Sequence, residues 1–199
     1  MFHPMMPWAL GSRLQRRRIL VCSILLAVLA CAALPGVSEA SRKLRGYGFS
    51  TTVPTNWKLT KGKNGSTRLY NAASPQTKPN VTVDSTLLGI KVIPVTDFER
   101  QLGRKIPASL EELLGTVMSA PPQAQNVQLT ATFRPATLDG RPAASGAAQF
   151  FLNGATLLQS ETVAVHRGRV YILQFYVDTT LQIPGLSTLS RIHRHWHWR

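Results

Sequence analysis

"VYILQFYV", Val170 to Val177, is the stretch on which the fold turns. Both of its alternating faces are apolar apart from Gln174. A strand with one wet face alternates polar with apolar residues, so this one belongs in the middle of a sheet covered on both sides. The residues upstream supply the neighbours. Arg167-Gly168 turns the chain out of a strand at Thr156 to His166, and Asn153-Gly154 is a strong hairpin signal, because both residues tolerate the positive φ of a tight turn. Ala143 to Leu152 is the strand before, entered from an Asp139-Gly140 turn. Earlier still, Val127, Leu129, Ala131 and Phe133 alternate with Gln128, Thr130 and Thr132. The second half of the chain is thus an antiparallel meander.

Helices must cover it. Ser109 and Glu112 form a capping box at the start of a helix over Ser109 to Ser119. Leu110, Leu113, Leu114 and Val117 recur at i, i+3, i+4 and i+7 and put one stripe toward a core. Pro121-Pro122 ends it, and a shorter helical turn is expected around Asp97 to Leu102. The expected fold class is α+β, an antiparallel β-sheet covered by helices on both faces in an α-β-α sandwich.

The first half is less regular. In "GYGFSTTVPTNWKL", Gly46 to Leu59, Tyr47, Phe49, Thr51 and Val53 share one face until Pro54 stops the strand. Phe49 and Val53 are expected to pack inward and Trp57 to cap the sheet. Lys61 to Ser66 is a turn by composition and Thr67 to Ala72 a return strand, so 47–72 reads as a hairpin-like unit. Ser74 to Asn80, with prolines at 75 and 79, is a loop. Val81 to Asp84 resumes alternation, and Leu87-Leu88 signals a bulge or deeper burial.

Residues 1–40 read as a cleaved signal peptide ahead of a single domain over 41–199, its core at about 46–180. Arg13, Arg16, Arg17 and Arg18 precede an apolar run from Ile19 to Leu34, and Ser38-Glu39-Ala40 supplies small residues for a cut after Ala40. A retained anchor is the alternative. Gln15 to Leu20 loosely resembles a twin-arginine signal, and Val28 to Cys31 a lipoprotein box. Both cysteines, Cys22 and Cys31, would leave with the leader, which excludes disulfides and thiolate chemistry from the mature domain. That domain holds 19 basic and 8 acidic residues, a net +11. Such a field favours an acidic partner. Export argues against nucleic acid and for a protein assembly or a membrane surface.

Catalytic patterns are sparse. There is no Gly-x-Ser-x-Gly elbow and no phosphate-cradling loop. His166 abuts a turn and reads as a solvated strand end; Asp84 and Glu161 fall on strands, and the sequence does not say whether they meet. No enzyme is expected. The tail "RIHRHWHWR" invites a metal reading, since His193, His195 and His197 would share one face if extended and could bind Zn²⁺ or Cu²⁺. Trp196 and Trp198 with Arg194 and Arg199 would equally suit a membrane interface. A frayed end is the plainer expectation. Asn64-Gly65-Ser66 and Asn80-Val81-Thr82 match glycosylation acceptors, which matter only in a eukaryotic secretory path.

Taken in order, the segments resemble the PsbP family of extrinsic lumenal photosystem II proteins. "GFSTTVPTNW" is similar to that family's opening strand, and "RLYNAASPQTKPNVTV" to its second strand, loop and third strand. "ASLEELLGTVM" matches the place of its first long helix. "TATFRPATLDGRPAASGAAQF" and "HRGRVYILQFYV" stand where it has a strand-turn-strand and a central strand. The similarity spans about residues 46–178. Bacterial lipoproteins of the DcrB and LpqN kind share the sandwich and the opening pattern more loosely.

The resemblance implies a non-enzymatic accessory protein on the lumenal side of photosystem II. Such a protein carries no covalent cofactor and helps to retain Ca²⁺ and Cl⁻ at the manganese cluster, or assists assembly. Its partners would be acidic faces of lumenal subunits, with peripheral membrane association and no nucleic acid. Its compartment would be the thylakoid lumen, or the periplasm of a non-photosynthetic host. Candidate contacts are Arg42, Lys43 and Arg45 before the opening strand and Lys58, Lys61 and Lys63 after it; ordinary solvated surface is the competing reading. Where the family has a closing helix, this sequence has the histidine-tryptophan tail. The alternative is a DcrB- or LpqN-like envelope binding module unrelated to photosynthesis.

Overall fold

The Val170 to Val177 run lies in the fourth strand of a seven-stranded antiparallel sheet. A computed structural model describes residues 40–61, 67–71, 86–120, 123–152 and 154–199. Within them the elements are β1 (Ser41–Gly46), β2 (Phe49–Pro54), β3 (Trp57–Lys61), β4 (Thr67–Asn71), β5 (Thr86–Pro94), α1 (Val95–Leu102), α2 (Leu110–Val117), β6 (Gln125–Leu138), β7 (Arg141–Leu152), β8 (Ala155–His166), β9 (Arg169–Asp178), a 3-10 turn (Thr179–Leu181), α3 (Gln182–Arg194) and β10 (His197–Trp198). The large sheet runs β3-β4-β5-β9-β8-β7-β6, and a three-stranded sheet runs β1-β2-β10. One compact unit spans Ala40–Arg199. All of the expected signal peptide over 1–40 except Ala40, the strand expected at 81–84 and both glycosylation triplets lie outside the described residues.

Turn chemistry sets the meander. Asp139 and Gly140 have φ of 47° and 72°, and Arg167 and Gly168 have 47° and 68°. Positive φ at both central residues is the tight hairpin turn whose twist matches its strands. β6 is one edge of the sheet, β3 being the other, and three register shifts against β7 interrupt it. Such bulges blunt an edge that carries exposed Val127 and Leu129.

The two faces of β9 enter two separate cores. Val170 and Ile172 pack with Ala144, Val163, Phe98 of α1 and Leu113 and Leu114 of α2. Tyr171, Leu173, Phe175 and Val177 point the other way, toward Leu189 and Ile192 of α3 and Leu44, Phe49 and Val53 of the small sheet. The architecture is α+β, helices lying over both faces of an antiparallel sheet, as the sequence predicts. α3 comes close because residue 185 is glycine: a Cβ there would stand 2.7 Å from Val177 Cγ2. At the start of α2, Ser109 Oγ accepts from the Glu112 N–H at 3.3 Å, and the hydroxyl donates to Glu111 Oε2 at 2.8 Å.

Two expectations are corrected. Residues 47–72 do not form one hairpin-like unit. β2 pairs with β1 and β10, whereas β3 and β4 extend the large sheet beside β5. Pro54 and the Thr55-Asn56 turn carry the chain between sheets, and buried Trp57 fills the joint. The tail is not frayed. Residues 182–194 form a helix, and β10 then pairs His197 with Ser50 and Trp198 with Phe49. Trp196 is 1% exposed and stacks on Phe49 with ring centres 4.3 Å apart, while Tyr171 meets both rings edge-on. Its indole area outweighs the entropy of ordering a few terminal residues.

Candidate docking surface

The basic residues expected ahead of the first strand instead lie in a strand of their own, β1, and divide between two roles. β1 pairs with β2 in register Arg42↔Val53 to Arg45↔Ser50, and strand alternation sends Leu44 into the core. Arg42, on the same side as Leu44, donates its Nη2 to the Trp57 carbonyl. Lys43 and Arg45 are exposed on the opposite side of β1, and Lys58 is exposed on β3. Lys61 closes β3, with only its backbone described, and Lys63 lies outside the described residues.

The three tail histidines do not share a face. His193 sits in the last turn of α3, where burial pushes its imidazole down to about 4 and keeps it neutral. His195 is exposed beyond the helix, its backbone N–H donating to Arg191 O at 3.1 Å. His197 is in β10 with Nδ1 3.5 Å from Asp139 Oδ1. A helix followed by a two-residue strand breaks the extended spacing that a three-imidazole site needs. Among the described residues no three His, Cys, Asp or Glu side chains are grouped to hold a metal ion.

A second basic group, which no run in the sequence announces, forms where turns meet the C-terminal strand. Trp198 N–H donates to Asp139 Oδ2 at 2.9 Å, its indole Nε1 donates to Leu138 O at 2.7 Å, and Arg199 N–H donates to Gly48 O at 3.0 Å. Arg167 Nη1 donates to Arg199 O at 2.7 Å, and the Arg169 guanidinium lies 3.9 Å over the Tyr47 ring. Arg141 follows the Asp139-Gly140 turn at the same end. Its charge and that of Arg167 add to burial in holding His166 below the usual imidazole range. The signal in the sequence was there, spread thin: the Asp139-Gly140 and Arg167-Gly168 turns each carry arginine in or next to the turn.

One buried ionisable site lies in the sheet itself. Glu161 on β8 is 1% exposed and faces the α1–α2 side beside the apolar cluster. Gln174, directly opposite on β9, donates Nε2 to Oε1 at 3.1 Å, and Gln159 donates Nε2 to Oε2 at 3.0 Å. Burial pushes the carboxyl up to about 7, partly offset by the two amides and by Lys91. Burial and the nearby Glu161 charge push Tyr176 up to about 12. A carboxyl near neutrality is a common mark of acid–base chemistry. Here each carboxyl oxygen accepts from an amide and the side chain is buried, while Gln159 Oε1, buried beside it, has no hydrogen-bond partner among the described residues.

No family model and no curated protein matches the sequence. Solved structures do match. The solution structure of cyanobacterial PsbP from Synechocystis sp. PCC 6803 aligns over 84% of this chain and 98% of its own, at 10% identity and a TM-score of 0.52. The fold is PsbP-like. LpqN of Mycobacterium tuberculosis, involved in cell envelope biogenesis, aligns over 79% of this chain and 89% of its own, at 16% identity and a TM-score of 0.48. The Ran-binding protein Mog1p of Saccharomyces cerevisiae aligns over 81% and 96%, at 10% identity and a TM-score of 0.45. At these identities the likeness is one of fold alone.

Proposed function

We propose that this chain is a non-enzymatic PsbP-like accessory protein of the lumenal face of photosystem II, docked by charge and supporting ion retention or assembly. The observation that carries the reading is the cyanobacterial PsbP structure, which the chain matches over nearly all of that protein's length. The net +11 of residues 41–199 supports it, because opposite charge raises encounter rates and selects acidic faces. Exposed Lys43, Arg45 and Lys58 are the proposed steering edge, together with Arg42, Lys61 and Lys63. The Ca²⁺ and Cl⁻ of that role belong to the photosystem, and the compartment is the thylakoid lumen.

The test is fractionation of the native host. The protein is expected to sediment with photosynthetic membranes at low ionic strength and to leave them in a high-salt wash, since screening at molar salt shortens the field to about 3 Å. Recovery in the soluble fraction at low salt, or a host without photosystem II, would replace this reading with an envelope binding module.

A further inference from the structure

We infer that recognition is carried by the arginine-bearing turn end, Arg141, Arg167, Arg169 and Arg199 around Tyr47, and that its partner is a protein surface presenting aspartate or glutamate. This rests on the docking reading and assigns it a face. The lysine edge of β1 and β3 then contributes long-range attraction and little else.

Composition is the first ground. All four cations are arginine, whose planar fork binds a carboxylate through two parallel hydrogen bonds where lysine offers a point charge. The second ground is preorganisation. The Arg169 guanidinium carbon lies 3.9 Å from the centre of the Tyr47 ring, a cation–π contact that restricts the side chain. Arg167 is tied to the Arg199 main-chain oxygen at 2.7 Å, and the exposed Arg141 side chain acts on Asp139 through its charge. The third is that nearby carboxylates are already engaged. Asp139 takes the Trp198 N–H and pairs with His197, and Asp97 pairs with Arg100 at 3.1 Å. Asp139 and Asp97, each with other partners, do not neutralise four arginines, and the excess charge is left for an outside group.

A lipid phosphate would also accept from arginine, but this end offers a bilayer nothing to insert. Tyr47, 59% exposed, is the large apolar side chain exposed at these turns, and its ring is covered by Arg169. Tyrosine and arginine together are instead the residues on which protein interfaces concentrate their binding energy.

The experiment measures binding of the protein to poly-L-glutamate and to phosphatidylglycerol vesicles at low salt, with circular dichroism to confirm folding. Arg141→Glu/Arg169→Glu is expected to weaken polyglutamate binding about tenfold or more, and Lys43→Glu/Lys58→Glu less than about twofold. Arg141→Lys/Arg169→Lys, which keeps the charge and removes the fork, is expected to lose about threefold. It also serves if the reversed pair fails to fold. Equal losses in the lysine-edge and arginine variants, or binding to vesicles without binding to polyglutamate, would overturn the inference and leave charge-driven docking standing. A wild-type protein that binds neither probe would remove both.

Discussion

Gln174 Nε2 donates to Glu161 Oε1 across 3.1 Å, setting the polar residue of the central strand against the buried carboxyl of its neighbour. Gln159 completes the pair of amide donors. Removing water from a carboxylate costs more than two neutral hydrogen bonds return, so the group holds its proton to about pH 7.

This fixes a pH dependence. The folded carboxyl binds its proton from about 4.5 to about 7, a window in which the unfolded one has released it. Glu161 therefore favours the folded state most below pH 4.5, and stability falls as pH rises to about 7, by roughly 3 kcal/mol. Glu161→Gln keeps the shape and removes the charge. It is expected to flatten that fall and to be the more stable protein at pH 8, by urea unfolding at pH 5 and pH 8. Parallel pH profiles for the two proteins would exclude this account.

Trp196→Ala should cost about 3 to 5 kcal/mol, the range for emptying a large aromatic site in a core. The lost stack on Phe49 and the edge contact with Tyr171 locate the cost. Chemical denaturation measures it. A change near zero would mean that the tail is dispensable.

Gly48 and Gly140 share a left-handed backbone, with φ of 74° and 72°, but not their surroundings. A Cβ at Gly48 would collide with the Tyr171 hydroxyl, whereas one at Gly140 meets nothing within 4 Å. Gly140→Ala should cost about 1 to 2 kcal/mol, the backbone penalty alone. Gly48→Ala should cost distinctly more, because Tyr171 must shift as well. Equal shifts in thermal midpoint would contradict this.

The Trp198 N–H holds the Asp139 carboxyl below its usual range. A lowered carboxylate stabilises the fold above its ordinary 3.8, and that contribution is lost as pH falls below it. Asp139→Asn should lower the thermal midpoint at pH 7 and speed exchange of the Trp198 amide. The difference between the two proteins should shrink toward pH 3. Unchanged amide protection would show that the closure does not depend on this carboxylate.

The local elements were legible wherever neighbours in sequence are neighbours in space. The β6–β9 meander follows from its turns, α2 from its cap and leucine stripe, and the central place of β9 from its two apolar faces. What failed was non-local. β2 and β3 share one alternating pattern, and nothing within it says that Pro54 separates two sheets. The tail carries the composition of a loose end, and its order depends on the β2 edge and the Phe49 ring, which no local pattern reports. The arginine end is assembled from separate turns, so a search for charge runs finds the Lys58 to Lys63 stretch first. Gln174 interrupts an apolar strand for a reason held on the neighbouring strand, the Glu161 carboxyl opposite.

The small sheet also sets the order of events in biosynthesis. His197 closes on Ser50, so a chain emerging N-terminus first has made residues 51–196 before the last partner of β2 exists. Until then Phe49 lacks its Trp196 cover and the β2 edge offers unpaired amides, which are the features that recruit chaperones and mispairing. The nascent domain thus stays incomplete until residues 196–198 are released, and truncation before Trp196 would yield a meander with an open core.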